Sequence, residues 1–273
     1  MNDSVYARTP LEMRRTIPVF SVPNEYTENY ARIAADHLQA IRDRHIANPF
    51  IPEELWVQLE DSTAKLIEKY SKSGDMILDV GVGLGRLLSR FANLQRYGMD
   101  ISFDYLEVAQ AKGIEVCYAM VEDMPYKEST FDIVTCTDIL EHVLDLNLSL
   151  AKMLSVIKKG GTLIVRVPYR EDLRAYALAE LPYKYIHLRN FDEYSLKLVF
   201  EKIFNCEVAE MTGGGYEPRR SRRRWPLPVP AGPDAILRRF LYMIKAHKSR
   251  ALYEGLLRLV YHPIEINVVV QKK

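Results

Sequence analysis

The chain has 273 residues, 48% of them hydrophobic, and 37 Lys and Arg against 36 Asp and Glu give a formal net charge of +1. This length supports one large α/β domain with additions or two small domains, and the charge balance argues against wholesale nucleic-acid binding. Cys117, Cys136 and Cys206 are widely separated and set in apolar runs, which excludes a disulfide framework or a zinc spacing and predicts buried thiols in a reducing compartment.

Met1 to Arg15 has no apolar core stretch, so no secretory signal is expected. No window approaches the roughly 20 uninterrupted apolar residues of a membrane-spanning helix, and a cytoplasmic protein is expected. Residues 1–25, with Pro10, Pro18 and Pro23, read as an extended or partly disordered arm. Tyr30, Ile33, Ala34, His37 and Ile41 then fall on one helical face, and Asn48-Pro49 stops that helix. A second helix opens at Pro52-Glu53-Glu54 and turns Leu55, Leu59, Leu66, Ile67 and Tyr70 toward the core. The pair forms either a lid over a ligand cleft or a cover on the sheet.

Met76 to Val80 is a short, branched, apolar run, the pattern of a buried strand. Asp79 leads into Gly81, Gly83 and Gly85, and Arg86, Leu87, Leu88 and Phe91 resume at helical spacing. Strand, glycine loop and helix start together bind nucleoside-bearing cofactors in open α/β sheets. The spacing is G-x-G-x-G, which disfavours a dinucleotide pyrophosphate, and with Asp79 the stretch resembles motif I of class I S-adenosylmethionine-dependent methyltransferases.

Later motifs follow in order. Tyr97 to Ile101 reads as a second strand with Asp100 at its end, placed to accept both ribose hydroxyls, and Ser102 caps a helix to Ala111. Ile114 to Ala119 is a third strand, and Met120-Val121-Glu122-Asp123-Met124-Pro125-Tyr126 resembles the family's adenine-cradling turn. Many relatives carry aspartate where this chain has Met120, so the adenine contact falls to Glu122 or to backbone atoms, with Met120 against the ring. A fourth strand from Phe131 ends in Thr137-Asp138-Ile139-Leu140-Glu141-His142-Val143, whose Glu-His-Val resembles a small-molecule subgroup acting on quinones, sugars and polyketides. A helix with Leu150, Ala151, Leu154 and Ile157 inward closes at Lys158 to Gly161, and strand five runs from Thr162 to Val167. His187-Leu188-Arg189-Asn190-Phe191 resembles a His-x-Arg-x-Phe turn of the same subgroup. Cys206 to Met211 and Glu265 to Val270 supply the last two strands.

The resemblance implies a Rossmann-like, mostly parallel sheet of seven strands flanked by helices, with an N-terminal helical cap and a helical insertion between strands six and seven. The divisions are an arm and cap over 1–70, a cofactor-binding core over 71–212, a basic insertion over 213–263 and a final strand over 264–273. It implies S-adenosyl-L-methionine as cofactor, bound by Asp79, Gly81, Gly83, Gly85, Asp100, Ile101, Met120, Val121, Glu122 and Thr137, with no metal. Methyl transfer is an in-line displacement that needs positioning, exclusion of water and sometimes removal of a proton. His142 and His187, on the rim past strands four and five, are the candidates for that proton; each has the competing reading of a packed or capping residue.

The expected acceptor is an oxygen or nitrogen of a small molecule or sugar, including a lipid-linked intermediate. The rivals are a nucleic-acid methyltransferase using the Arg219 to Arg224 cluster and a non-catalytic cofactor-binding protein. Strand four lacks the Asn/Asp-Pro-Pro-aromatic signature of base-nitrogen methylation. Over 219–260, the arginines and the amphipathic stretches at Leu237 to Ile244 and Leu252 to Val260 read as core or homodimer contacts, or as a peripheral surface for an anionic membrane or substrate.

Overall fold

The computed structural model describes residues 5–44, 48, 49, 51–178, 180, 182–218 and 261–273. Residues 219–260 of the basic insertion expected over 213–263, with the membrane, anionic-substrate and homodimer readings they carry, lie outside them.

The elements in chain order are β1 (Glu12–Arg14), β2 (Ile17–Val19), α1 (Glu25–Arg44), α2 (Glu53–Tyr70), β3 (Met76–Val80), β4 (Gln95–Asp100), α3 (Phe103–Ala111), β5 (Glu115–Tyr118), β6 (Phe131–Thr137), α4 (Leu146–Val156), β7 (Ile157–Pro168), α5 (Arg174–Leu178), α6 (Glu193–Lys197), β8 (Glu207–Pro218) and β9 (Tyr261–Gln271). Helix starts follow local chemistry. Ser102 accepts from the Tyr105 amide at α3, Asp145 from Leu148 at α4, and Asp192 and Ser195 form a reciprocal box at α6.

The described strands form one sheet in the order β1-β2-β5-β4-β3-β6-β7-β9-β8. From β5 to β7 neighbours run parallel, and β9 is antiparallel to both β7 and β8. Chain order reverses beside β3, with β4 on one side and β6 on the other, so a ligand crevice opens at the carboxyl ends of β3 and β6. Val80, Met99, Val134 and Val165 are fully buried, as expected for parallel strands covered on both faces.

The sheet has nine strands rather than the expected seven. The described part of the arm takes the extended alternative: β1 and β2 form a hairpin, with Arg15 at φ 56 in the turn, and β2 pairs parallel to β5 at Val19 and Tyr118. Ile17, Val19 and Phe20 are buried. Pro18, one of the prolines of the arm, sits in a short edge pair where a missing amide costs little.

Three further expectations change. After the glycine loop there is only a single 3-10 turn, Leu88–Arg90, in place of a full helix. Arg86 to Leu94 must recross the sheet alongside the five-residue β3. Second, β7 begins at Ile157, so Lys158 to Gly161 belong to a bulged strand entry and not to a helix stop, and Ala151 is exposed. Third, β8 continues to Pro218 and β9 starts at Tyr261, so strand occupies both flanks of the stretch assigned to the insertion.

The cap helices divide the two roles foreseen for them. α2 lies on the sheet face against β7, β8 and β9. α1 crosses the carboxyl ends: His37 Nδ1 is 2.7 Å from the Tyr105 hydroxyl on α3, while Asn29 accepts from the Lys184 amide at 2.8 Å and donates to the Tyr185 carbonyl at 2.9 Å.

Candidate active site

Asp79, Gly81, Gly83 and Thr137 line one cleft at the carboxyl ends of β3 and β6, together with Trp56, Glu60, Arg86, Asp138 and Arg166. Asp79 is buried and accepts from the Thr135 hydroxyl at 2.7 Å. Burial lifts its carboxyl to about 7 despite that bond and the nearby Arg166. Gly83 has φ 49, and a side chain there would project into open space, so the backbone presents itself bare to the cleft.

Asp100 ends β4 beside this loop. Its Oδ2 accepts the Gly83 amide and its Oδ1 the Ser102 amide, both at 2.9 Å. Burial raises its carboxyl to about 6, against the pull of these amides. A carboxylate pinned by two backbone donors keeps lone pairs directed outward for a diol. Next to a bare glycine loop, this chemistry fits the ribose and amino-acid ends of S-adenosylmethionine.

The other expected cofactor residues separate. Gly85 faces inward: a Cβ there would lie 2.7 Å from Ile114 Cδ1 and 3.0 Å from Ala109 Cβ, so this glycine admits α3 rather than a ligand. Ile101 packs against the core beneath α3. Met120 leads into, and Val121 and Glu122 sit in, the 3-10 turn after β5. There the Met120 amide donates to Ser21 Oγ at 2.9 Å and the Met120 sulfur lies 3.6 Å from Asn24 Nδ2. Val121 packs on the core and Glu122 accepts from the Asp145 amide at 3.5 Å. The arm thus holds the turn from outside through Ser21, which also donates to Asp123 Oδ2 at 2.9 Å.

Several cleft residues escaped the sequence reading. Arg166, 3% exposed near the carboxyl end of β7, contacts Asp138 Oδ2 and Glu265 Oε2 at 2.5 Å each and donates to Thr63 Oγ1 at 3.1 Å. An arginine inside the apolar run Thr162 to Val167 was a signal. Asp138, at φ 57, holds the left-handed turn that ends β6 and donates its amide to the Arg166 carbonyl at 3.0 Å. Burial, then Asp138, raise Glu265 to about 8.

The two histidines meet on the rim, their ring centroids 4.6 Å apart and edge to face. The His-x-Arg-x-Phe turn brings them together. Arg189 donates to the carbonyls of Val143 and Leu144, the Leu188 amide donates to the Glu141 carbonyl at 2.8 Å, and Phe191 is buried in the core. Glu171 Oε2 lies 2.5 Å from His187 Nδ1, and Tyr176 donates to Glu171 Oε1 at 2.6 Å. Burial opposes ionisation of Glu171, but the His187 and Tyr176 bonds outweigh it and hold the carboxyl below its ordinary value.

Burial and the neighbouring His187 depress His142 to about 4. Glu141 is fully buried with both oxygens unpartnered, and burial followed by Asp138 drives it well above its usual range. The 3.8 Å approach of His142 Nε2 to Glu141 Oε1 therefore joins two neutral groups and is no salt bridge. One donor atom from each of Glu141, His142 and His187 lies within 4.8 Å of the others, a metal-competent cluster among the described residues that the expectation of no metal did not contain.

A family model described as a methyltransferase domain matches residues 78–165. A ubiquinone biosynthesis O-methyltransferase from Xanthomonas axonopodis pv. citri is 30% identical over 198 residues, covering 66% of this chain and 78% of that protein. The protein of the same name from Xanthomonas campestris pv. campestris is 28% identical over 231 residues, 74% of this chain and 92% of its own. Among solved structures, the Haloferax volcanii methyltransferase in complex with the Trm112 activator superposes with a TM-score of 0.59 at 16% identity, covering 92% of this chain and 99% of its own. A Thermotoga maritima protein described as a possible histamine N-methyltransferase gives 0.56 at 17%, covering 91% and 100%. These structures share the fold. With the glycine loop, the Asp100 carboxyl beside it and a relative matched over most of its length, the chain belongs to the class I S-adenosylmethionine-dependent methyltransferases.

Proposed function

We propose that the chain transfers a methyl group from S-adenosylmethionine to an oxygen of a small acceptor at the His142 and His187 rim, with His187 as the base. The observation that carries this reading is the 2.5 Å contact of Glu171 with His187 Nδ1. A carboxylate at Nδ1 holds the proton there and leaves Nε2 with a free lone pair, the tautomer a base requires. His142, kept neutral by burial, orients the acceptor beside it.

Bound in the cleft, S-adenosylmethionine supplies an electrophilic methyl on a sulfonium. The residues of this chain hold its ribose at Asp100, its amino-acid end near Asp79 and Gly81, and the acceptor under α1. Tyr26 and Tyr30 pack with tilted rings 5.0 Å apart, and Tyr30 meets His142 edge-on at 5.5 Å, giving the acceptor side an aromatic wall that excludes water. A hydroxyl acceptor gains from proton removal, whereas a neutral amine needs little. The name of the Xanthomonas relatives, which places the methyl on oxygen in ubiquinone biosynthesis, supports the same choice. Incubation with methyl-labelled S-adenosylmethionine and matched panels of phenols, sugar alcohols, amines and RNA tests this. Label on hydroxyl acceptors, lost in His187→Ala, is expected; label on amines or RNA alone contradicts the reading.

A further inference from the structure

We propose that Ser21, in the N-terminal arm, is a positioning residue for the cofactor's purine: it fixes the turn after β5 against which the base rests. The inference rests on the cofactor cleft assigned above and adds to it a residue from outside the parallel strands.

With the amino-acid end over β3 and β6 and the ribose at Asp100 on β4, the order β5-β4-β3-β6 leaves one direction for the base. It extends past β4 to the carboxyl end of β5, where Met120 leads into the 3-10 turn Val121–Asp123. Met120, Val121 and Glu122 are half-buried there and give a flat ring something to lie against.

One side-chain oxygen closes this turn. Ser21 Oγ accepts the Met120 amide and donates to Asp123 Oδ2, both at 2.9 Å, and so ties the residue before the turn to its last residue. Ser21 is itself 2% exposed and held from three sides. The Phe20 amide donates to the Tyr118 carbonyl at 2.9 Å, which sets the arm in register on β5. Arg8 Nη2 lies 2.6 Å from Asp123 Oδ1, 2.8 Å from the Asp123 carbonyl and 3.2 Å from the Phe20 carbonyl. Asn24, just before α1, accepts the Thr27 amide at 3.1 Å through Oδ1, while its Nδ2 lies 3.6 Å from the Met120 sulfur.

Without the Ser21 hydroxyl, the Met120 amide loses its partner and the turn loses its crosslink, so the backbone under the base is no longer set in advance. Asp100 and the glycine loop, which hold the ribose and the tail, do not touch Ser21. The loss therefore falls on the base.

The test is calorimetric titration of the full chain with S-adenosylhomocysteine and with S-ribosylhomocysteine, in which a hydroxyl replaces the adenine. Wild type is expected to bind the first about 10-fold tighter or more, from burial of the base. In Ser21→Ala that ratio should fall about threefold or more, the scale of one net hydrogen bond. If Ser21 merely secures the arm, the melting temperature drops while the ratio survives, which overturns the proposal; a wild type that does not discriminate overturns it too. Should Ser21→Ala fail to fold, Asp123→Ala at the other end of the crosslink gives the same reading: a reduced ratio supports the proposal and an unchanged one contradicts it. Wild type that binds neither ligand would instead remove the cleft assignment, and the proposal with it.

Discussion

Glu171 and His187, sixteen positions apart on the segment after β7, are joined by a 2.5 Å contact from Oε2 to Nδ1. Glu171 was not among the sequence candidates. In the function proposed above, its effect is to give a rim histidine the tautomer that a base requires.

Loss of a positioned base costs about 10² or more in turnover. His187→Ala is expected to show that loss with cofactor affinity intact, and Glu171→Gln about a tenfold loss. His142→Ala should act mainly on the acceptor KM, because a histidine held near 4 is a weak proton acceptor. Steady-state kinetics with labelled cofactor separate the two. A larger kcat loss in His142→Ala than in His187→Ala would reverse the assigned roles.

Asp79 links the cleft to stability. Its folded-state carboxyl sits at about 7 against about 4 in the unfolded chain. The folded form keeps its proton longer, so the stability present below about pH 4 is lost as pH rises toward 7. Asp79→Asn removes that loss. The variant should be more stable than wild type at pH 8, by about 1 kcal/mol or more, with a smaller margin at pH 5 and weaker cofactor binding throughout. Thermal melts at the two pH values check this; an equal margin at both would mean that Asp79 titrates as it does when unfolded.

The buried Arg166 contacts the carboxyl groups of Asp138 and Glu265. Removing one partner of a buried ion pair costs about 3–5 kcal/mol, largely through the charges left behind. Arg166→Met should destabilise by that order in urea unfolding, and adding Glu265→Gln should recover part of it. Equal stability of the single and double variants would count against the network.

Much of this was legible in the chain. Asp79, Gly81, Gly83 and Asp100 follow from a strand that must end at a bare loop, and Ser102 does cap α3. The β1–β2 hairpin was hidden because Pro10 and Pro18 mimic a linker and its burial depends on β5, about a hundred residues away. Gly85 matched the motif, yet its φ of 66 and its packing against Ala109 serve α3. Trp56, Glu60 and Arg86 lay in ordinary amphipathic or loop contexts, and only the fold of α2 over the loop joins them. Glu171 was obscured for the same reason: nothing local distinguishes it from a solvated loop carboxylate.

The central claim is that the cleft beside Gly83 and Asp100 binds S-adenosylmethionine. Titration of the cofactor into wild type and Asp100→Ala tests it most directly. The account predicts binding to wild type and a loss of about 2 kcal/mol or more in the variant, the range for hydrogen bonds to a charged group. Unchanged affinity in Asp100→Ala, or tighter binding of a nicotinamide dinucleotide to wild type, would contradict it.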